Sequence, residues 1–497
     1  MKTRVDVVVV GGGNAALCAA LSARESGADV LVLERAPYAE RGGNSAFTAG
    51  NMRFAYDGGE QVLSLVDGLT EDQIAHTDFG TYTQAQFFDD IARVTENRCD
   101  PELADVLVSN SYETLRWMHG KGVKFLPLYG KQAFQVDGTW TFWGGLTLEA
   151  VGGGPGLVDS LTTACQKADV TIEYGARARR LVTDETGAIS GVEVRQDSRV
   201  SVVEAGAVVL AAGGFQANAE WRTRYLGPGW DVAKVRGTRF NTGEGIKMAL
   251  EVGASPAGNW SGAHAVGWEF NAPEFGDLAV GDSFQKHSYP WGVMVNAEGK
   301  RFVDEGADFR NYTYAKYGRV ILDQPGQFAW QVFDQKVTKQ LRDEYRIKQV
   351  TKVTATTLEE LARKMDGVDA EGFLKEIEAY NTAIDQSVPF NPNVKDGRRT
   401  QGLAVDKTNW ANTLDQGPFE AYQVTCGITF TFGGLRITPQ SEVLDDDGAV
   451  IPGLFACGEM VGGLFYFNYP GGSGLTNGSV FGRIAGRGAA AITGARS

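Results

Sequence analysis

The chain has 497 residues and a formal net charge of −14. That length exceeds what one hydrophobic core can organise, so two or three domains are expected. With 43% hydrophobic and 22% charged residues it reads as globular; its acidic balance argues against a nucleic-acid partner, and no apolar run approaches the ~20 residues of a membrane-spanning helix.

Met1-Lys2-Thr3-Arg4 leads directly into a buried strand, Asp6 to Val10, so no signal peptide is expected. Gly11-Gly12-Gly13-Asn14-Ala15-Ala16 follows as G-x-G-x-x-A, then a helical run from Leu17 to Glu25 and a second apolar strand, Asp29 to Leu33, ending on Glu34. Gly11 permits a tight turn, Gly13 lets the backbone approach a pyrophosphate, and Ala16 keeps helix and strand close. The pyrophosphate would sit on the helix N-terminus, where free N–H groups and the dipole favour negative charge. Glu34 stands where a carboxylate accepts hydrogen bonds from ribose hydroxyls. These parts together predict a dinucleotide site and leave FAD or NAD open.

A glycine-rich segment runs from Arg41 through Gly43, Asn44 and Ser45 to Ala49, Gly50 and Asn51. Residues Gln84 to Lys121 are helical in pattern, and Leu157 to Lys167 follow the break at Gly152–Pro155. Short β-runs occupy Val170 to Gln196. The chain re-enters a buried strand at Ala207–Leu210, running into Ala211-Ala212-Gly213-Gly214-Phe215, and Thr242-Gly243 heads a helix ending at Gly253. From about 267 to 414 glycines thin out, aromatics increase, and helical patterns appear at 357–365 and 370–384, which marks an inserted domain between two parts of one fold, 1–266 and 415–497. The sixty-four glycines fit a backbone wrapped closely around a large cofactor. The five cysteines are scattered singly, which excludes sequence-evident iron–sulfur, zinc and c-type haem sites and suits a reducing cytoplasm. The four histidines show no metal-ligand spacing.

Separated segments then point one way. Gly42-Gly43-Asn44-Ser45, Leu210 to Phe215 and Thr242 to Ala249 come in order. Met294-Val295-Asn296 with Gly299 to Glu305, Gly453 to Glu459 and Phe481 to Gly486 follow. The set resembles the flavoprotein family of fumarate reductases, succinate dehydrogenases and 3-ketosteroid dehydrogenases, nearest to FAD-dependent tricarballylate dehydrogenases. The resemblance implies a Rossmann-like α/β FAD-binding domain with an inserted α+β capping domain folded over the flavin. It also implies oxidation or reduction of a C–C bond beside a carboxylate or carbonyl. FAD is expected to be non-covalent, since 41–50 holds no histidine. Its contacts are expected from Gly11, Gly13, Asn14, Ala15, Ala16, Glu34, Arg35, Gly43, Asn44, Ser45, Ala49, Gly50, Ala211, Ala212, Gly213, Thr242, Gly243, Gly458, Glu459, Ser473, Gly474 and Leu475. With no cysteine clusters, electrons must pass to an iron–sulfur partner, a quinone-like acceptor or oxygen.

Two departures bear on substrate. Thr429-Phe430-Thr431-Phe432 stands where fumarate reductases carry a histidine before a T-M-G-G turn, and Tyr469 replaces their late substrate-clamping arginine. Tyr469-Pro470-Gly471 instead resembles ketosteroid dehydrogenases, whose late tyrosine polarises a carbonyl. A small carboxylic acid or an enone or ketone is therefore expected, and fumarate is not. Arg310, five positions after Glu305, is the expected proton carrier, with Tyr312, Tyr314 and Tyr469 as tyrosine alternatives. The bland reading of Arg310 is a surface pair with Asp304, Glu305 or Asp308. Arg236, Arg239, Lys286, His287 and Thr429 are expected to hold substrate, and Tyr289-Pro290-Trp291 with Trp143 to form an apolar wall. Alternatives to a free-standing enzyme are the flavoprotein subunit of a membrane electron-transfer complex and a flavin sensor without turnover.

Overall fold

A computed structural model describes residues 2–142 and 145–494. The chain divides into two compact units: residues 1–228, 237–263 and 430–497 form the first, and 229–236 with 264–429 the second.

The first unit is built on an eight-stranded sheet. Its centre is the strand Arg4–Val10, whose last four residues are buried valines. That apolar run is what a strand covered on both faces requires. It pairs in parallel with Val30–Glu34 on one side and with Arg199–Leu210 on the other. Thr171–Tyr174 extends the parallel set beyond Val30–Glu34. The long strand Arg199–Leu210 changes partners along its length. Its first half pairs antiparallel with Ile189–Gln196, and its end, Val208 to Leu210, pairs in parallel with Leu454 to Ala456. The carboxyl ends of Arg4–Val10, Arg199–Leu210 and Val450–Ala456 therefore lie side by side, the usual place for a ligand in an open parallel sheet.

The helix Asn14–Glu25 packs against the long last helix, Ser473–Gly494, through small residues. A Cβ on Gly482 would meet the Ala15 carbonyl oxygen at 2.4 Å, and one on Gly486 that of Ala19 at 2.0 Å. The run from Gln84 to Lys121 is not one helix but two, Gln84–Val94 and Pro101–Gly120. Glu96 and Asn97 take positive φ between them, and the Asp100 carboxylate caps the second.

The second unit is organised by residues 419–429 of the strand Phe419–Leu435, which pair antiparallel with Ala329–Phe333 and Lys352–Ala355 and in parallel with Lys234–Val235. Its outer edges, 229–236 and 429, lie beyond the 267–414 block that composition marks, because both segments join this sheet. The helices Leu358–Lys364 and Ala370–Ala383 close a core of Val293, Trp330, Leu361, Phe373, Ile377 and Phe419. The Gly299-to-Glu305 motif has a structural task here. Arg301 and Glu305, both buried, pair at 2.6 Å, and Glu305 accepts the Met294 N–H at 2.7 Å. Trp291 packs edge-on to Phe390 and Trp410 as ordinary core; Trp143 lies outside the described residues.

Candidate functional site

In the first unit a groove opens where the strand ends meet. Gly11 sits there with φ +116°, and a Cβ would lie 2.3 Å from the Ala211 carbonyl oxygen. The turn therefore closes only on glycine. Gly11, Gly12, Gly13, Asn14 and Ala15 line the groove at the N-terminus of the first helix. Glu34 ends the second strand with only 6% of its surface exposed, and its carboxylate accepts the Ala36 N–H at 2.6 Å. Burial raises its pKa. A buried carboxylate beside a glycine turn, already held by backbone N–H groups, suits the further donors that ribose hydroxyls supply.

Arg35, Gly43, Asn44, Ser45, Ala211, Ala212, Gly213, Gly458 and Glu459 also line the groove. Glu459 is the hub at its far wall. It accepts the Thr431 N–H at 3.0 Å and side-chain amides of Gln216 and Asn241 at 3.3 Å. Burial, only partly offset by these donors, pushes its carboxyl up to about 7. The other expected contacts lie outside the groove's lining. Ala16 is fully buried in the helix, and Thr242 accepts from Arg35 at 2.7 Å beside Gly243. Ala49 and Gly50 pack on Gly153, and the Leu475 carbonyl accepts from Asn14 at 2.8 Å. Ser473, next to Gly474, bonds the Pro470 carbonyl at 2.6 Å. Arg177, Thr238 and Asn241, marked by no local motif, line the groove as well, and so does Glu244 from within the Thr242-to-Ala249 segment. Arg177 and Arg35 share Glu244, which leaves one net positive charge among the three at the rim.

The donors, the glycine cradle and the buried acid fit an FAD. The same unit carries a ring of aromatics around Tyr469. Phe430 and Phe465 stand edge-on to it at 5.0 and 5.5 Å, and Phe430 meets Phe432 at 5.3 Å.

The second unit gathers the other candidates. His264 and His287 are buried, and both meet Tyr314 edge-on, at 5.1 and 4.9 Å. Burial drives both imidazoles well below the ordinary range, and cationic neighbours add to it: Arg236 for His264, and Arg310, Arg236 and Arg342 for His287. Both are therefore neutral at pH 7. Neither ring nitrogen of His287 has a hydrogen-bond partner among the described residues. Tyr289 and Thr313 share a 2.6 Å hydroxyl–hydroxyl bond.

Arg310 is half-buried, in the short turn Arg310–Tyr312 that leads into the helix Tyr314–Leu322. Burial, then the charge of Arg342, lowers its pKa to about 10. None of its three nearby acids pairs with it. Glu305 is taken by Arg301, Asp308 by Lys395 at 3.5 Å, and Asp304 by the Thr408 N–H and hydroxyl. Tyr312 is half-buried in the same turn.

The remaining expected cations are occupied. Arg236 pairs with Asp282 at 2.8 Å and donates to Thr429 at 3.3 Å. Lys286 is not a substrate clamp but an internal charge. It is fully buried, 3.7 Å from the equally buried Glu269, and donates to the Phe284 and Gln285 carbonyls at 3.2 and 3.3 Å. Burial lowers its pKa to about 8. Arg239 lies on the surface of the first unit, more than half exposed and paired with Glu40 at 2.7 Å. Sequence reasoning missed His264, Arg342 and Glu344, whose positions carry no motif, and gave Tyr289 only a place in an apolar wall.

Residues 6–475 match the model of the FAD binding domain family. The chain is 30% identical over 491 residues to a probable fumarate reductase, Ifc3, of Shewanella frigidimarina, covering 98% of this chain and 74% of that protein. It is 28% identical to a 4-oxocyclohexanecarboxylate 2-dehydrogenase of Sinomonas cyclohexanicum, over 98% and 93% of the two chains. The solved 3-ketosteroid-Δ4-(5α)-dehydrogenase of Rhodococcus jostii superimposes with a TM-score of 0.71 at 25% identity, over 98% of this chain and 97% of that one. The chain thus belongs to the FAD-binding family of fumarate reductase and ketosteroid dehydrogenase flavoproteins, and is an FAD-dependent oxidoreductase acting on carbon–carbon double bonds or the CH–CH bonds that form them.

Proposed function

We propose that the double bond this protein forms or reduces lies next to a carboxylate or ketone, with Arg310 moving the proton and Tyr469 polarising the substrate oxygen. Bound FAD supplies the hydride acceptor or donor. Arg310 exchanges a proton with the carbon next to the one that exchanges the hydride. The observation that carries this reading is that no carboxylate among the described residues pairs with half-buried Arg310: the three acids nearest in sequence bond elsewhere, and its pKa is lowered to about 10. An arginine tied to a carboxylate holds its proton more tightly; one beside Arg342 gives it up more readily. The Tyr469 ring packs edge-on against Phe430 and Phe465, and beside such apolar surface a phenol's hydrogen bond to a developing oxyanion is strong. The relative that dehydrogenates 4-oxocyclohexanecarboxylate acts on a compound with both oxygen functions.

A tyrosine mechanism is the second reading, favoured by the burial of Tyr314 between two neutral imidazoles. The FAD is held non-covalently, by the groove contacts alone. Electrons go on to an iron–sulfur protein, a quinone or oxygen, and the five free cysteines suit a cytoplasmic setting. No helix among the described residues is long and apolar enough to cross a membrane.

The purified protein should be yellow and release FAD on heating. Mixed anaerobically with saturated acids and ketones, its flavin absorption should bleach; the corresponding enoic acids or enones should restore it. A preparation that stays colourless after FAD is offered, or whose flavin no such compound bleaches or restores, overturns the reading.

A further inference from the structure

The turn that carries Tyr469 into the last helix of the first unit is held by a buried charge from a distant part of the same unit. Arg53 follows the short strand Asn51–Met52 and is only 1% exposed. Its Nε donates to the Gly471 carbonyl at 2.8 Å, and its backbone N–H donates to the Gly472 carbonyl at 3.2 Å. The Ser473 hydroxyl donates to the carbonyl before them, that of Pro470, at 2.6 Å. Three successive carbonyls directly after Tyr469 are thus bonded, two of them by Arg53. Thr476 returns the contact, donating to the Arg53 carbonyl at 2.7 Å. The guanidinium also donates to the Tyr82 hydroxyl at 2.9 Å, which donates in turn to Asp90 at 2.7 Å, and Asp90 lies 3.6 Å from Arg53. Tyr82 is buried and Asp90 half-buried.

Apolar packing can hold a turn without taking a charge out of water, and replacing a buried ion pair by hydrophobic residues is often neutral or stabilising. What a guanidinium adds is direction. Its planar fork sets its donors at fixed angles, and a charged donor makes a shorter, stronger bond to a carbonyl. Here one arm of that fork is aimed at the Gly471 carbonyl, two residues past Tyr469. Pro470 stiffens the link between them, since its ring fixes its own φ and restricts the backbone of the residue before it. On the reading that Tyr469 polarises the substrate oxygen, we infer that Arg53 is its positioning residue. Clamped by Tyr82 and Asp90, Arg53 sets the path of the 469–472 backbone and so the place at which the phenol meets that oxygen.

The test uses the FAD-loaded protein with 3-fluorotyrosine in place of tyrosine; the fluorine resonance missing from Tyr469→Phe is that of residue 469. Arg53→Lys keeps the charge but loses the fork, and Tyr82→Phe removes only the hydroxyl that joins Arg53 to Asp90. Both should retain FAD, read from flavin absorption, and both should shift or broaden the 469 resonance. At saturating 4-oxocyclohexanecarboxylate, flavin bleaching by Arg53→Lys should slow by ~10- to 100-fold, the scale of a small misplacement of a reacting group. The half-saturating concentration should change by less than about threefold. Added to Tyr469→Phe, Arg53→Lys should slow bleaching by less than about twofold, because it acts through the hydroxyl already removed. A 469 resonance unmoved in both variants, or losses that multiply in the double variant, overturns the inference. If Arg53→Lys loses its flavin, Tyr82→Phe supplies the same readings. If Tyr469→Phe bleaches as the parent does, the proposed role of Tyr469 falls, whereas a moved resonance still upholds Arg53 as what sets its place.

Discussion

The groove of the first unit and the polar cluster of the second solve the problem of holding a ligand in different ways. The groove is mostly backbone. Gly11 and Gly213 take positive φ, the first helix offers its N-terminal N–H groups, and Arg35 and Arg177 share Glu244 at the rim. The cluster is mostly side chain. Its specificity lies in which of several cations stays unpaired, and that depends on Asp282, Glu344 and Glu269 being in place. A backbone cradle is suited to a cofactor that stays; a side-chain ledger can be retuned by one substitution. The two should accordingly fail differently.

The largest expected effect is on the groove. Gly11→Ala forces a Cβ into the Ala211 carbonyl at a φ that L-residues rarely adopt. It should abolish FAD retention and cost about 2 kcal/mol or more of stability. Absorption spectra and denaturant unfolding check both, and full FAD occupancy in this variant would break the contrast drawn above.

A comparable effect should appear as a pH dependence. Glu459 is raised to about 7 from an ordinary value of 4.5, so the folded protein binds this proton more tightly than the unfolded chain. Stability is therefore greatest below pH 4.5 as far as this group is concerned, and falls as pH rises from about 4.5 to about 7. The loss amounts to roughly 3 kcal/mol at most. Urea unfolding of FAD-free protein at pH 5 and 7 should show that slope, and Glu459→Gln should flatten it. An unchanged slope in the variant would mean that other groups dominate.

The smallest effect is a control. Arg239→Ala removes an exposed side chain paired only with Glu40 at the surface. Stability should move by less than about 0.5 kcal/mol, and turnover should hold. A large loss of turnover would return Arg239 to the substrate site.

The difference in construction also explains what could be read from residues alone. The glycine turn, the first helix and Glu34 lie within one short stretch, so their spacing carries their meaning. Arg177, Thr238 and Asn241 reach the same groove from strands and turns far along the chain, and no local pattern marks them. Lys286 looks like any loop lysine until the fold sets Glu269 beside it. Arg310 has three acids close in sequence, which argues for surface pairing; only the partners of those acids, Arg301, Lys395 and Thr408, reveal that it is left alone. The break in the run from Gln84 to Lys121 is legible at Asp100-Pro101, a capping acid followed by a proline at the first helical position, whereas the positive φ of Glu96 and Asn97 carries no such mark.

Arg310 is the centre of the account, and its removal tests it most directly. Arg310→Ala should keep its bound FAD and its fold, since neither depends on that side chain, while turnover falls by ~100-fold or more. Tyr314→Phe, measured beside it, should stay within about tenfold of the parent protein. Near-normal turnover in Arg310→Ala, with activity abolished in Tyr312→Phe or Tyr314→Phe, would contradict the arginine assignment and give the proton to a tyrosine.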